Sequence, residues 1–210
     1  MSNHPLYTEL KKKFNKSLPG ETAHIEMAPL NRPISSEALK NVENCRESAV
    51  SIILYPHENK LNSLLIQRPV YEGTHSGQIA FPGGKTEETD SSNEQTARRE
   101  SWEEIGLPIN YGLLIKELTQ VYIPISNFLV FPFVFFVDVL PELTPNEREV
   151  NEIIHYPIDL LLTENSKSTM EIKFPNGIIQ KKIPCFEIND KQIWGATALI
   201  LNELREILKD

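Results

Sequence analysis

The stretch that most constrains this chain is Phe81–Leu107, FPGGKTEETDSSNEQTARRESWEEIGL. It opens on a glycine turn, Phe81-Pro82-Gly83-Gly84, and closes on Gly106. Glycine accepts left-handed or crowded backbone that other residues resist, so both ends of the intervening segment are pinned. Within it, Ser91-Ser92-Asn93-Glu94 has the form of a capping box. The pattern predicts a helix that begins at Ser91 or Ser92 and stops at a left-handed Gly106, with a loop on either side.

On that helix Glu100, Glu103 and Glu104 stand at i, i+3 and i+4 and share one face. Ala97, Ser101 and Ile105 share another, which can pack on a core. Like charges at this spacing destabilise a helix. A divalent cation would turn their repulsion into attraction, and an all-oxygen donor set suits magnesium or manganese rather than zinc. For an isolated Glu-x-x-Glu-Glu a solvated acidic face is the plainer reading. The fixed helix ends favour a metal site.

Gly84, Asp90 and the run Arg99-Glu100-Ser101-Trp102-Glu103-Glu104-Ile105-Gly106-Leu107 together resemble the Nudix box of the Nudix hydrolases. Asp90 stands where that family usually has Glu, one residue further from the Arg than usual, and Ser101 replaces an aliphatic residue. The resemblance implies that Glu100, Glu103 and Glu104 bind Mg2+ or Mn2+ with help from the Gly84 carbonyl, and that Arg99 orients the carboxylates. Asp90 is expected to support the loop through hydrogen bonds to backbone N–H groups near the helix start instead of binding metal.

At 210 residues the chain can form one well-cored domain with extensions. Its formal net charge of −8 argues against non-specific nucleic-acid binding, which needs a basic footprint. An anionic substrate must then be received by metal ions or a local group of cations. Cys45 and Cys185 show no paired spacing, which fits a reducing cytoplasm. The lysine-rich opening carries no secretory pattern. The most apolar run, Phe128–Val137, is too short to span a membrane and reads as a buried strand.

Taken in order, Leu6, Leu10 and Phe14 suggest a short amphipathic helix. Gly20–Pro33, with Pro29, reads as an extended connector, and Glu37–Val42 as a second short helix capped by Ser35 or Ser36. Residues 1–44 would thus be a helical and extended N-terminal extension to a domain spanning 45–210. Ala49–Tyr55 and Leu61–Arg68 read as a hairpin, Gln78–Phe81 as a short strand, and Leu113–Pro124 and Asn127–Asp138 as two strands around a Ser126–Asn127 turn. Pro141–Val150 is a polar loop and Glu152–Tyr156 a strand, with Pro157 opening a helix to Leu162. Asn176–Gly177 marks a hairpin. Ala196, Ile200, Leu204 and Leu208 mark a last helix that closes over the sheet. A mixed β-sheet between helical layers follows, an α/β (α+β) class. The Nudix resemblance implies the same fold, an α/β/α sandwich.

Leu64-Leu65-Ile66-Gln67-Arg68, Gly77 and Phe81–Gly84 further resemble the upstream motif of one Nudix branch, the coenzyme A pyrophosphatases. Ile125-Ser126-Asn127, Glu149–Ile153 and Ile193–Ala198 are similar to later segments of that branch. The branch has a small residue after its first Arg and a second Arg four residues on; here those places hold Pro69 and Gly73. The resemblance implies a diphosphohydrolase acting on a nucleoside diphosphate, coenzyme A or a derivative, and yielding 3′,5′-ADP and 4′-phosphopantetheine. Another Nudix substrate such as ADP-ribose, or a non-catalytic nucleotide-binding module, is the alternative. Glu103 and Glu149 are both candidates for the general base. Arg68, His75, Lys85 and Gly83 are candidates for substrate contact, against the plainer readings of a surface ion pair or a solvated loop. No membrane or nucleic-acid partner is expected, and a homodimer stays open. With Gly73 in place of Arg, the 3′-phosphate of coenzyme A is expected to be read weakly, by whichever of Arg68, His75, Lys85 and Arg32 lies nearest.

Overall fold

The computed structural model describes residues 4–30, 32–40, 42–70, 76–173, 177 and 179–209. The expected hairpin forms from β1 (Arg46–His57) and β2 (Lys60–Gln67). Both residues of its turn, Glu58 and Asn59, have positive φ, the turn geometry whose twist matches paired strands. β1 lies inside a mixed eight-stranded sheet. Along one edge it runs parallel to β7 (Phe128–Phe136), Arg46 opposite Phe128 through Leu54 opposite Phe136. Its other edge is shared: the later half pairs with β2 and the earlier half with β4 (Gly83–Lys85). That division draws the glycine turn into the sheet. β3 (Ile79–Ala80) and β8 (Glu152–Pro157) pair antiparallel with β2.

Alternation along the strands separates two cores. Ile52 and Leu54 turn to one face with Leu65 and Val134. Ile53 and Tyr55 turn to the other with Leu64 and Ile66. The first face is covered by α6 (Gly195–Lys209), α5 (Ile158–Leu162) and α1 (Pro5–Phe14). On the second, α4 (Asn93–Ile105) packs Ala97 on Ala49, Phe133 and Phe135. The layered sandwich is the expected one.

Several local expectations are corrected. The strand expected over Leu113–Pro124 is two, β5 (Leu113–Glu117) and β6 (Val121–Ile123), each antiparallel to β7. The break falls at Thr119, whose N–H and hydroxyl both donate to the buried Glu203 carboxylate of α6, the hydroxyl at 2.7 Å. The connector expected over Gly20–Pro33 holds a helix, α2 (Glu21–Glu26). Contacts with α6 hold it: Glu203 accepts from Gly20 N–H at 3.3 Å and lies 3.1 Å from His24 Nε2, and Asn202 Nδ2 donates to the Ala23 carbonyl at 2.7 Å. With the N-terminal helices on its outer side and the Leu161 and Thr163 carbonyls against Arg205, α6 buries Leu199, Leu201, Asn202, Glu203 and Arg205 as well as Ile200, Leu204 and Leu208 of the expected stripe, while Ala196 is only partly buried. The helix expected over Glu37–Val42 is α3 (Ser35–Leu39), and Pro157 caps α5 instead of opening it.

A separate three-stranded antiparallel sheet joins β9 (Lys167–Lys173), β10 (Ile179–Ile188) and β11 (Lys191–Trp194). β9 and β10 are the expected hairpin, although Asn176 of its turn lies outside the described residues. β11 has no counterpart in the expectation. Its signal is the Asn189–Asp190 pair, both at positive φ, between alternating apolar residues. Among the described residues, no helix is long and apolar enough to cross a membrane.

Candidate active site

The site is built on α4. Ser92 is its N-cap and accepts from Gln95 N–H at 3.2 Å, while the Gln95 side chain accepts from Ser91 N–H at 2.8 Å. The reciprocal capping therefore uses Gln95, one residue beyond the expected Glu94. Gly106 stops the helix at φ 73°, the left-handed stop expected. Ala97, Ser101 and Ile105 are buried as expected, and the Ser51 hydroxyl fastens to the Ala97 carbonyl at 2.8 Å. Arg98 clasps the next loop through the carbonyls of Tyr111 and Gly112 and lies over the Phe135 ring.

The three glutamates then meet different surroundings. Glu104 faces the β4 turn and is 1% exposed. Gly83 N–H donates to its Oε2 at 2.8 Å, and Arg68 Nη2 stands 3.6 Å from its Oε1. Burial pushes this carboxyl up to about 8, with Glu100 and Glu149 raising it further and Arg68 and the Gly83 N–H opposing them. Glu100 lies against Gly84, where an added Cβ would stand 2.5 Å from the carboxylate. Burial also raises the Glu100 carboxyl, against the pull of Arg99. Glu103 is more open, its side chain 39% exposed.

Arg99 ties these parts together. Its Nη1 donates to Glu100 Oε1 and Glu103 Oε2, both at 2.9 Å, and its Nη2 to the Lys85 carbonyl at 3.0 Å. Nε and Nη2 form a fork on Asp90, each bond 3.0 Å. Asp90 also accepts from Glu87 N–H and the Thr96 hydroxyl, and the Arg99 fork holds its carboxyl down at about 2. Asp90 therefore supports the loop mainly through a side-chain fork, with a single backbone N–H from within the loop itself.

Arg68 donates to the Gly83 carbonyl at 3.1 Å, bracing the turn. His75, like Gly73, lies outside the described residues. Lys85 is exposed on β4 beside a cleft of about 2020 Å³. The cleft floor is the sheet face of Ser48 and Val50 in β1, Phe128 and Val130 in β7, and Ile123 in β6. The β9–β11 sheet forms one wall, and the segment around Leu30 and Arg32 the far bank. Glu100, Glu103, Glu104 and Asp90 do not line the cleft. They meet it across the Gly83–Gly84 strand, which has the cleft on one side and Glu100 and Glu104 on the other.

The donor set fits a hard divalent cation. It is all oxygen, and Glu149 is close enough to Glu100 and Glu104 to raise both. Among the described residues, no three acidic, His or Cys side chains are already drawn together for one ion, and one Arg99 nitrogen occupies an oxygen of both Glu100 and Glu103. The sequence alone could not have ranked the three glutamates, nor shown that Arg68 faces inward.

Comparison with known proteins agrees with this geometry. The NUDIX domain model matches residues 46–174. The chain is 30% identical to the human mitochondrial coenzyme A diphosphatase NUDT8, over 97% of this chain and 80% of that protein. It is 28% identical to the Nudix hydrolase NudL of Pectobacterium atrosepticum, over 82% of this chain and 88% of that one. Among solved structures, the Nudix hydrolase RenU of M. smegmatis shares the fold, with a TM-score of 0.55 at 17% identity, covering 78% of this chain and 86% of that one. With its box helix, glycine turn and carboxylate face so placed, this chain belongs to the Nudix hydrolase family.

Proposed function

We propose that the protein is a Mg2+- or Mn2+-dependent diphosphohydrolase that cleaves coenzyme A or a close derivative to 3′,5′-ADP and 4′-phosphopantetheine. One observation carries the reading: a carboxylate face stands directly behind the glycine strand that rims a large cleft, with Arg68 and Lys85 on that rim. The similarity to a coenzyme A diphosphatase over almost the whole chain supports the substrate class.

Glu100 and Glu104 would hold the cation, with Glu103 and the Gly84 carbonyl beside them. When bound, the ion supplies charge neutralisation for the diphosphate oxygens. Arg99 keeps Glu100 and Glu103 in place. Glu149 is assigned as the base that takes the proton of the attacking water. Glu103 is the weaker choice because Arg99 already binds its carboxylate, whereas among the described residues no cation pairs with Glu149. Lys85 faces the incoming phosphates, and Arg68 holds Gly83 and Glu104 in register. Two unbridged cysteines suit the reducing cytoplasm.

The test is product identification by mass spectrometry after incubation with coenzyme A and Mg2+. 3′,5′-ADP and 4′-phosphopantetheine should accumulate, and chelation should stop them. Cleavage of ADP-ribose with coenzyme A untouched would refute the substrate class. No hydrolysis of either, with either metal, would leave a nucleotide-binding module.

A further inference from the structure

The far bank of the cleft carries a cation that the diphosphate chemistry leaves unused. Arg32 is half-buried there, and its Nη2 donates to the Tyr122 carbonyl at 2.8 Å. Among the described residues, no carboxylate lies within ion-pairing distance of it. Burial lowers its affinity for its proton, and among the described residues no acidic neighbour offsets that effect. A guanidinium has five donors, so most of its hydrogen-bonding capacity is left for a ligand. A half-buried arginine without a counter-charge is costly in a chain of net charge −8, where acidic partners are plentiful.

Its distance from the glycine strand follows from the sheet register. Tyr122 pairs with Leu129, Leu129 with Glu47, and the next residue of β1, Ser48, pairs with Lys85. Three strand spacings separate Tyr122 from Lys85, about 14 Å across the cleft floor. The Tyr122 N–H meets Ser35 Oγ and its carbonyl meets Arg32, so both point to the outer edge of β6, and an anion held by Arg32 would sit at that outer end of the span, with the diphosphate at the Lys85 end. Of the other described cations lining the cleft, Arg68 is committed to Gly83 and Glu104, Lys191 to Gln67 and Glu152, and Lys85 stands at the diphosphate end.

We infer that Arg32 is a specificity residue that binds a second phosphate group of the substrate, a monoester on the nucleoside, while the diphosphate lies at the Lys85 end. In coenzyme A this is the 3′-phosphate, so the group is read strongly despite Gly73. The inference rests on the proposed substrate class, but binding can test it without turnover.

Calorimetric titration with 3′,5′-ADP and with 5′-AMP, in the absence of metal, measures the recognition directly. The wild-type protein should bind 3′,5′-ADP roughly ten- to hundredfold more tightly. Arg32→Gln should abolish that difference and leave 5′-AMP affinity unchanged, and Arg32→Lys should keep part of it. In turnover, Arg32→Gln should reduce kcat/KM for coenzyme A by a similar factor and spare dephospho-coenzyme A. Equal wild-type affinity for the two nucleotides overturns the inference by itself, whether or not the variants fold. So does an equal loss for both nucleotides in Arg32→Gln. Preference for 3′,5′-ADP without cleavage of coenzyme A would refute the proposed function and leave the Arg32 site standing.

Discussion

Replacing Glu104 by Gln should make the metal-free protein more stable at pH 8 than the wild type. The side chain is 1% exposed, and burial raises its carboxyl from an ordinary 4.5 to about 8. Between those values the unfolded chain has released the proton and the folded chain still holds it. Stability from this group is therefore complete below pH 4.5 and is lost as pH rises through about 8. Each pH unit of that window is worth about 1.4 kcal/mol, so the ceiling is ~5 kcal/mol. Relaxation of the site reduces it, and about 1–3 kcal/mol is the expected difference at pH 8. Gln retains an oxygen for the Gly83 N–H, so the loop anchor survives. The assay is urea unfolding of both proteins at pH 5 and pH 8 with a chelator present. The advantage of Glu104→Gln should grow from pH 5 to pH 8, and saturating Mg2+ should stabilise the wild type more than the variant. Turnover of the variant should fall by orders of magnitude. An advantage that is the same at both pH values, or a variant less stable than wild type at pH 8, would refute the argument.

Asp90→Asn should cost about 1–2 kcal/mol at neutral pH, since the Arg99 fork holds that carboxyl down at about 2 and its contribution is present above pH 3.8. Activity should drop less than about tenfold; a structure with metal bound directly to Asp90 would contradict this. Gly84→Ala places a Cβ 2.5 Å from the flexible Glu100 carboxylate, so thermal unfolding should barely change while turnover falls by more than about tenfold. Gly83→Ala is the contrast: its Cβ would meet the Ala49 carbonyl at 2.3 Å at φ +155°, and the protein should lose several kcal/mol by urea titration. Glu203→Ala strips a buried acceptor from Gly20, Thr119 and His24 and should cost about 3–5 kcal/mol, measured by denaturant unfolding, with faster proteolysis near α2. A loss below about 1 kcal/mol would show that the N-terminal helices do not depend on this anchor.

The sequence by itself determined the parts whose causes are local. The capping serines, the helix stop at Gly106 and the spacing of Glu100, Glu103 and Glu104 all belong to one helix and its two ends. The β-branched, aliphatic run of β1 and the apolar run of β7 likewise announced strands and a layered fold. Contacts between residues far apart in the chain left no such trace. Glu203 breaks a strand at Thr119 and holds a helix at Gly20, and neither segment carries a pattern that reveals it. The three glutamates look alike as letters. Tertiary structure alone buries Glu104 under Gly83, presses Glu100 on Gly84 and leaves Glu103 open, because the helix docks at one angle on one strand. The same long-range packing carries Arg32 from the N-terminal segment to the far bank of the cleft, where solvation and charge decide what it can bind.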